Sequence, residues 1–517
     1  MAVDTLANGI PGSQSQSATP IVVDSAEADS AEIMALAREA QRIWGAMSLP
    51  TRARRLSRLA ANIAASIDPI ADTIHEENGK PRAEAVAHEA VTAIQFARHT
   101  CHVASAVLSA QAVPLESHPS RSAELVRQPF GVVLAISPWN LPFFIPLSQV
   151  LPALLAGNAV VLKPSELTPD SARLIEKLLG ECGLPEGLFQ VAYGDGSLGQ
   201  RLIEAQPDKV LFTGSVATGR KVMAACARLP IPVSLELGGV DAMIVRADAD
   251  LEFTASAAAW GATFNAGQAC ASVERLLVHR SIHDALVVRI ADKMNRIDRS
   301  RELGPAVDDK QLHVWQEHML NARNAGATQA AGGTFLPGRK LEPTLLTGSQ
   351  VAETEAWRSE TFGPVLAVLP FDDDDEAISM HNATEYGLTA SIFTADLDAA
   401  KAMAAKLRAG VVCVNDVAAT CYGSPEIPWG GVGLSGFGRS HGDEGLLDAT
   451  WTKVIEVPKF AGPNAKRPWW YPYGPDLEAT MSKLGRALAV ENPVRRAVKV
   501  AKAGVSIVPL LTRNPRL

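Results

Sequence analysis

The feature that most constrains the fold is an alternation of short β-rich runs with helical stretches between about residues 123 and 245. The runs are rich in Val, Leu, Ile and Phe, and they read GVVLAIS, AVVLKPS, LFQVAY, KVLFTGS and IPVSLEL. Apolar residues recur at helical spacing between them, at 144–157, 168–182 and 218–228. This pattern predicts an α/β fold with a mostly parallel sheet and helices on its faces. Such a sheet binds ligands in the crevice beyond the carboxyl ends of its strands.

The same alternation recurs after Asp250 and indicates a second α/β domain. Helices are predicted over 250–264 and 282–297, and the runs ERLLVHR, PVLAVLPF, SIFTA and GVVCVN are predicted strands. Three or four helices are predicted between Ser25 and Val107. At 517 residues the chain is long enough for two or three domains, each with its own core.

Composition is typical of a globular enzyme, with 47% hydrophobic and 20% charged residues. The six cysteines form no CxxC pair and have no histidine cluster beside them, so neither a disulfide framework nor a metal site is predicted. We find neither a signal peptide nor an apolar run of the roughly 18 residues that a membrane span needs. These features predict a cytoplasmic protein. The net charge of −8, without a basic groove studded with aromatic residues, predicts no nucleic-acid partner.

The C-terminal segment differs in charge from the rest of the chain. Residues 458–517 carry eleven Lys and Arg against three acidic residues, a net charge of +8, so residues 1–457 carry −16. Over 477–512, apolar residues at helical spacing lie beside basic ones. A basic amphipathic helix binds anionic membranes, which predicts peripheral membrane contact. The alternative is that this segment packs on its own oligomer.

Cys270, in the stretch FNAGQACASVERLLV, is a candidate nucleophile. A predicted helix and small residues precede it, so we expect the thiol at a turn where backbone N–H groups lower its pKa and bind an oxyanion. A single cysteine in an Ala-rich stretch is more often a buried packing residue. The assignment therefore rests on the motifs that accompany it.

Two polar residues follow predicted strands. Glu236, in LELGG, ends the run IPVSLEL, where a carboxylate can reach into the crevice and act as general base toward water. Asn140, in SPWN, follows GVVLAIS, and its amide can donate to a developing oxyanion. Taken singly, such residues are more often an ion-paired acid and a turn residue.

Two glycine patterns compete for a cofactor phosphate. In FTGSVATGRKV, Gly214 and Gly219 bracket a predicted helix start, and a helix N-terminus binds pyrophosphate. The GxGxxG at Gly194, Gly196 and Gly199 matches a dinucleotide fingerprint, but it lacks a convincing acid about 20 residues later. We therefore favour the first pattern.

Taken together and in this order, SPWN, KPSE, FTGS, LELGG, GQAC, ETFGP and PWGG resemble the aldehyde dehydrogenase superfamily over about residues 25–457. The resemblance implies a Rossmann-type cofactor domain, an α/β catalytic domain and a small β projection through which subunits pair as a dimer or tetramer. The expected boundaries are 1–105 with 130–238, 239–440, and 106–129 with 441–457, followed by the extension 458–517.

The resemblance also implies a mechanism. In that family a cysteine thiolate attacks the aldehyde, an asparagine side chain and the cysteine N–H hold the oxyanion, and hydride passes to nicotinamide. Here these roles fall on Cys270 and Asn140. Water activated by Glu236 then hydrolyses the resulting thioester.

Cofactor contacts are implied in the same way. Lys163 and Glu166 would face the adenosine ribose, Ser215 the pyrophosphate, Glu360 the nicotinamide ribose and Phe362 its ring. A carboxylate at Glu166 repels a 2′-phosphate, which favours NAD, while Lys163 leaves NADP open. The full expected set is Ile136, Ser137, Pro138, Trp139, Lys163, Ser165, Glu166, Gly196, Phe212, Thr213, Gly214, Ser215, Gly219, Leu237, Gly238, Glu360 and Phe362.

The chain departs from the family pattern at two positions. Val240 follows LELGG where many relatives have Lys, and Ser440 replaces the acid often found after GR, which puts a proton relay there in doubt. The GRSHG stretch resembles the branch that handles fatty and aromatic aldehydes.

Family substrate tunnels are lined by residues after PWN and before PWGG. Here these are Leu141, Phe143, Phe144, Leu147 and residues 417–427, with Glu426 the one fixed charge. Their apolar character predicts an aliphatic, aromatic or terpenoid aldehyde over a semialdehyde that carries a carboxylate. The alternatives are a CoA-acylating relative, which the presence of Glu236 disfavours, and a non-catalytic relative, which the intact Cys270, Glu236 and Asn140 disfavour.

Overall fold

The computed structural model describes residues 29–116, 121–459, 471, 473 and 476–505. The chain divides into two units, Met1–Ala110 with Val126–Lys453 and Gln111–Leu125 with Val454–Leu517. Residues 506–512 of the predicted amphipathic segment lie outside the described residues. Within the described ranges, no helix is long and apolar enough to cross a membrane.

The larger unit begins with helices, numbered here in chain order. They are α1 (Ser30–Gly45), α2 (Leu49–Leu56), α3 (Arg58–Ala64), α4 (Ile67–Asn78), α5 (Arg82–Glu84), a π-helix (Ala85–Val91) and α6 (Thr92–Val107). Asp29 caps α1 by accepting from the Ala31 N–H, at 2.9 Å. Helix α4 ends at Gly79, whose φ of 76° lies in the left-handed region that glycine tolerates. More helices form than the sequence predicts, because short breaks near Ser57 and Ser66 interrupt the periodic pattern.

A six-stranded sheet follows, with strand order β17-β7-β6-β3-β4-β5. Its strands are β3 (Val132–Ile136), β4 (Ala159–Lys163), β5 (Phe189–Val191), β6 (Lys209–Thr213), β7 (Val233–Glu236) and β17 (Gly436–Phe437). The connecting helices are α7 (Phe144–Ala156), α8 (Pro169–Gly180), α9 (Gly196–Glu204) and α10 (Val216–Arg228). The strands are parallel except β17, which pairs antiparallel with β7. All of β4 is buried, as expected for a parallel sheet covered on both faces.

The second sheet has seven strands in the order β10-β13-β14-β9-β8-β15-β16. They are β8 (Asp241–Val245), β9 (Val273–His279), β10 (Thr328–Ala331), β13 (Thr344–Thr347), β14 (Val365–Phe371), β15 (Thr389–Phe393) and β16 (Val411–Val414), with a separate hairpin of β11 (Phe335–Leu336) and β12 (Lys340–Leu341). Its helices are α11 (Leu251–Thr263), α12 (His283–Arg296), α13 (Asp309–Ala325), α14 (Glu355–Arg358), α15 (Asp374–Asn382), α16 (Leu397–Ala404) and α17 (Ala418–Tyr422), and α18 (Gly442–Asp448) comes after β17. Strand β17 lies within the stretch 239–440, yet it extends the first sheet.

A three-stranded sheet has the order β1-β2-β18, formed by β1 (Gln111–Val113), β2 (Arg121–Pro129) and β18 (Thr450–Pro458). Most of β18 is exposed, including apolar Val454 and Ile455. The smaller unit also contains a pair of packed helices, α19 (Leu477–Leu488) and α20 (Pro493–Val505). The domain boundaries expected from sequence remain predictions.

Two cysteines depart from the sequence-based expectation of free thiols. Cys413, on β16, and Cys421, on α17, form a disulfide. Sequence separation alone gave no sign of it, since the two thiols meet only after the strand turns into the helix. Among the described cysteines, Cys101, Cys182, Cys226 and Cys270 are free.

Candidate active site

The carboxyl ends of neighbouring parallel strands meet at one edge of the first sheet. The register sets Ile136 beside both Lys163 and Phe212, and Thr213 beside Glu236. SPWN directly follows β3, while KPSE and FTGS begin in the last residues of β4 and β6, so the register brings these motifs to one edge. This is the crevice that the sequence pattern predicts.

A cavity of about 220 Å³, the strand-edge cleft, opens there. It brings together many of the predicted site residues from distant parts of the chain. Its lining comprises Pro138, Trp139, Asn140, Ile145, Thr213, Gly214, Ser215, Glu236, Leu237, Gly238, Cys270, Gln311, Val314, Glu360, Thr361 and Phe362.

The start of helix α10 faces this cleft and suits a phosphate group. The Ser215 hydroxyl accepts from the Thr218 N–H at 3.3 Å and caps the helix. A Cβ at Gly219 would lie 2.5 Å from a Leu237 methyl, so only glycine lets the helix start approach β7 this closely. A Cβ at Gly238 would collide with the Glu360 carboxylate, and the Gly239 N–H donates to that carboxylate at 3.1 Å. The glycines therefore form a cradle that larger residues would fill.

The remaining predicted cofactor residues do not line the cleft. Lys163 is buried, its ammonium donating to the Pro164 carbonyl at 2.6 Å and lying 3.5 Å from Glu166. A Cβ at Gly199 would touch the Lys163 side chain at 3.4 Å, so helix α9, which Gly196 begins, packs close to this lysine. The others are Ile136, Ser137, Ser165 and Phe212, at or close to the strand ends, and Gly219, in the first turn of α10.

Cys270 follows a short 3₁₀ helix (Phe264–Gly267) and is half-buried. Its pKa is raised, chiefly by burial and further by the carboxylates of Asp241, Glu236 and Glu360. The sequence-based expectation of a lowered pKa was wrong, because burial of the thiol, together with three nearby acids, outweighs the favourable backbone N–H. A neighbouring base must therefore take the thiol proton before the sulfur becomes a nucleophile.

Glu236 occupies the last position of β7 and lines the same cleft as Cys270. Burial raises its pKa to about 7, with a further upward contribution from Asp448, while the Ser440 hydroxyl and Arg439 pull it down. A carboxyl group with this pKa is partly ionised near neutral pH. It can therefore both accept and release a proton there.

Asn140 is held by three groups from two other segments of the chain. Its side-chain amide donates to the backbone carbonyl of Gln268 at 3.1 Å. Gln268 precedes Cys270 by two residues, so this bond ties the amide to the segment that carries the thiol. The Asn140 backbone carbonyl accepts from the Lys80 ammonium at 2.8 Å and from the Asn265 amide at 3.1 Å. Lys80 in turn forms a fully buried ion pair with Glu89.

Sequence reasoning missed this support because it comes from the N-terminal helices. Glu89 uses its second oxygen to accept from the backbone N–H groups of Phe143 and Phe144, at 2.8 and 3.1 Å. A lysine next to a glycine–proline break and an acid on an amphipathic helix carry no signal that they pair. Only the fold places them under the SPWN loop.

Glu274 was missed for the same reason. It lies on β9, four residues after Cys270, and its carboxylate accepts from the backbone N–H groups of Thr361 and Phe362, at 2.8 to 3.0 Å. These bonds hold Phe362 at a φ of 50°, with its ring edge-on to Trp139 at 5.6 Å. Glu274 therefore shapes one wall of the strand-edge cleft.

A second cavity, of about 310 Å³, also reaches Cys270 and is named here the aromatic cavity. Trp260 and Phe264 stack at 4.8 Å, and His88 lies within 6 Å of both rings. Tyr422 and Trp429 meet edge-to-face at 4.8 Å. The remaining lining is Thr92, Gln95, Leu141, Ala269, Ala271, Ala419, Thr420, Gly423 and Ser424. Burial lowers the pKa of His88, so this ring is neutral at physiological pH.

This lining corrects part of the expected tunnel. Leu141 lines the cavity, but Phe143, Phe144 and Leu147 are buried in the core behind it. Glu426 points away, with its side chain 64% exposed and 3.6 Å from His99. The roles of Trp260, on α11, and Phe264, which begins the following 3₁₀ helix, were not predicted, although the two residues are four positions apart just before Cys270.

Comparison with known proteins agrees with this architecture. Residues 10–455 match the model of the aldehyde dehydrogenase family. The chain is 39% identical over 447 residues to a 4,4'-diapolycopene aldehyde oxidase of Methylomonas, covering 84% of this chain and 82% of that protein. It is 38% identical to a Mycolicibacterium smegmatis protein provisionally assigned as an NADP(+) succinate-semialdehyde dehydrogenase, over 84% of this chain and 86% of that one. A solved P. syringae indole-3-acetaldehyde dehydrogenase, in complex with NAD+ and IAA, superposes with a TM-score of 0.79 at 31% identity, covering 84% and 90% of the two chains.

Proposed function

Since the chain belongs to the aldehyde dehydrogenase family, we propose that it is an NAD-dependent enzyme that oxidises a hydrophobic aldehyde to the carboxylic acid. One observation carries the proposal. Cys270 is the residue that lines both the strand-edge cleft and the aromatic cavity. A nucleophile at that junction contacts an aldehyde in one cavity and a cofactor in the other.

The chemistry assigns each residue a role. Glu236 takes the thiol proton of Cys270, whose raised pKa requires a base, and the sulfur adds to the aldehyde carbon as the carbonyl π bond breaks. The oxyanion of this thiohemiacetal accepts from the Asn140 amide and the Cys270 backbone N–H. Bound NAD supplies a two-electron acceptor for the hydride. After Glu236 has released the thiol proton to solvent, water gives a proton to Glu236 as its oxygen attacks the thioester carbon, and the carbon–sulfur bond breaks to release the acid.

The strand-edge cleft fits a dinucleotide by its own geometry. The α10 start at Ser215 suits the pyrophosphate, and the glycine cradle at Gly238 and Gly239 leaves Glu360 to accept from a ribose. Glu166, half exposed beside Lys163, favours NAD over NADP by repelling a 2′-phosphate. NADP remains an alternative because the positively charged ammonium of Lys163 lies only 3.5 Å from the Glu166 carboxylate.

The aromatic cavity favours a hydrophobic substrate over a semialdehyde. Among its lining residues, all of which are described, none is Lys, Arg, Asp or Glu. A distal carboxylate would therefore lose its hydration without gaining a charged partner. Similarity to the 4,4'-diapolycopene aldehyde oxidase of Methylomonas supports this preference.

We further propose a cytoplasmic homo-oligomer, dimer or tetramer, with peripheral membrane contact through the basic helices. The exposed apolar residues of β18 support pairing between copies. On α20, Val494 and Val498 are exposed at 72% and 50%, beside exposed Arg495, Lys499 and Lys502. This combination of apolar and basic residues suits an anionic membrane surface.

NADH formation by the purified protein tests the central proposal. The panel comprises acetaldehyde, decanal, benzaldehyde, a terpenoid aldehyde, betaine aldehyde and succinic semialdehyde, each with NAD, NADP and NAD plus CoA. We expect the highest kcat/KM with NAD and a hydrophobic aldehyde, and no activity in Cys270→Ala. A higher kcat/KM for succinic semialdehyde than for decanal would overturn the substrate assignment, and a requirement for CoA would overturn hydrolysis.

A further inference from the structure

A third, smaller cavity is also lined by Glu236 and is named here the rear cavity. It has a volume of about 30 Å³ and is lined by polar side chains, those of Ser148, Gln149, Ser234, Glu236, Ser440 and Asp448, with Arg439 and apolar residues completing it. A water molecule needs roughly 10–15 Å³ of such volume and two to four polar partners. The cavity therefore has room for two water molecules.

Glu236 lines both this rear cavity and the strand-edge cleft. Its side chain therefore borders both spaces. The charged groups that influence it belong to the rear side, where Asp448 raises its pKa and Arg439 lowers it, while the Ser440 hydroxyl also lowers it. The rear cavity is therefore electrically coupled to the proposed general base.

Asp448 connects this cavity to solvent. Its Oδ2 accepts from the Ser234 hydroxyl at 2.7 Å and lies 2.9 Å from the ammonium of buried Lys209. Both contacts use Oδ2, which leaves Oδ1 to receive a proton. The Asp448 side chain is 23% exposed, whereas that of Lys209 is 5% exposed, so the acid is the group that reaches bulk water.

Each turnover of the proposed function leaves a proton on Glu236, and the inference rests on that function. Aldehyde and dinucleotide would occupy the two cavities that meet at Cys270, and they leave on that side only the water molecule that attacks the thioester. The rear cavity remains.

We infer that the proton leaves Glu236 through this rear cavity to Asp448. It passes from the Glu236 carboxyl to a water molecule, along the Ser440 hydroxyl and a second water to Oδ1 of Asp448, and then to solvent. Each group gives up one proton as it receives one, so no other reactant is needed. Ser440, which stands where many relatives have an acid, thus serves as a hydroxyl link, and Asp448 supplies the acid.

Breakdown of the acyl-enzyme, followed by rapid quench in weak buffer, tests the path. Asp448→Asn keeps the shape of the side chain, Ser440→Ala removes only the hydroxyl, and Glu444→Gln, an exposed acid on the same helix, is the matched control. We expect Asp448→Asn and Ser440→Ala to slow breakdown at least about tenfold, with an unchanged NADH burst. Added imidazole should restore the rate by accepting the proton directly.

Two results would overturn the inference. One is breakdown in Asp448→Asn as fast as in Glu444→Gln. The other is a slow rate that imidazole does not restore, together with a smaller NADH burst, which indicates that Asp448 only anchors Lys209. Failure of the proposed function can be distinguished from failure of this inference, because the unmodified enzyme would then show no NADH burst with decanal.

Discussion

The ammonium of Lys80 and the carboxylate of Glu89 form an ion pair that is entirely buried beneath the Asn140 loop. Lys80 bonds the Asn140 carbonyl, and Glu89 bonds the N–H groups of Phe143 and Phe144. The pair therefore ties the helical N-terminal region to the loop that carries the proposed oxyanion donor.

Removing one charge of this pair should destabilise the protein strongly. Lys80→Met leaves an uncompensated buried carboxylate, and we expect a loss of about 3–5 kcal/mol in the free energy of unfolding, measured with denaturant. Arg82→Met, which breaks exposed ion pairs with Asp68 and Asp72 on α4, should lower the free energy of unfolding far less. Equal losses in the two variants would contradict a structural role for the buried pair.

Asn140→Ala tests the oxyanion contact. Loss of one such donor typically lowers kcat by about 10²–10³-fold, and we expect this range for decanal. The rate at which iodoacetamide alkylates Cys270 should stay close to that of the unmodified enzyme, since the thiol and its base remain. If alkylation slows as much as turnover, the asparagine supports the cysteine rather than the oxyanion.

The pH dependence of thioester hydrolysis should follow Glu236. Its pKa is raised to about 7, so the group is protonated and inactive as a base below that pH and ionised above it. Acyl-enzyme breakdown should therefore rise about tenfold per pH unit below 7 and level off above it. Glu236→Gln should remove this dependence and abolish turnover, and it should also slow the NADH burst, because the same carboxylate takes the thiol proton of Cys270. A rate that falls as pH rises through 7 would exclude Glu236 as the base.

The stacked Trp260–Phe264 wall should determine aldehyde preference. Trp260→Ala removes an aromatic face that the benzaldehyde ring can contact, and because such a contact is worth about 0.5–1.5 kcal/mol, KM for benzaldehyde should rise by up to about tenfold. KM for acetaldehyde should change little. Phe253→Ala, an exposed position on the same helix, should leave both values unchanged. If KM rose equally for all aldehydes, the result would indicate that Trp260 supports the fold rather than contacting the substrate ring.

Membrane contact should depend on the charge of α20. Reversal of Arg495 and Lys499 to Glu should lower binding to phosphatidylglycerol vesicles by at least about tenfold, because each basic residue near an anionic surface contributes about 1 kcal/mol. Reversal of exposed Lys401, on α16, is the control. Equal sedimentation of all three proteins with the vesicles would favour packing on the oligomer.

The sequence predicted the features that depend on local pattern. The alternation of strands and helices over 123–245 anticipates the order of elements in the first sheet, and strand ends bring Asn140 and Glu236 to one cleft with Cys270. Lys80–Glu89 and Glu274–Phe362 were not predictable, because each pair joins segments that meet only in the folded chain. The prediction of a lowered pKa for Cys270 was wrong for the same reason. The burial that raises this pKa, and the three carboxylates that raise it further, arise only when separate strands and loops meet.

The two large cavities share Cys270 and no other lining residue. Substitutions in the aromatic walls can therefore alter which aldehydes are accepted without touching the surface that would receive the dinucleotide. During evolution, single substitutions of aromatic residues can therefore change the range of aldehyde substrates while the dinucleotide cofactor stays the same. Only Cys270 is constrained by both the substrate cavity and the cofactor cleft.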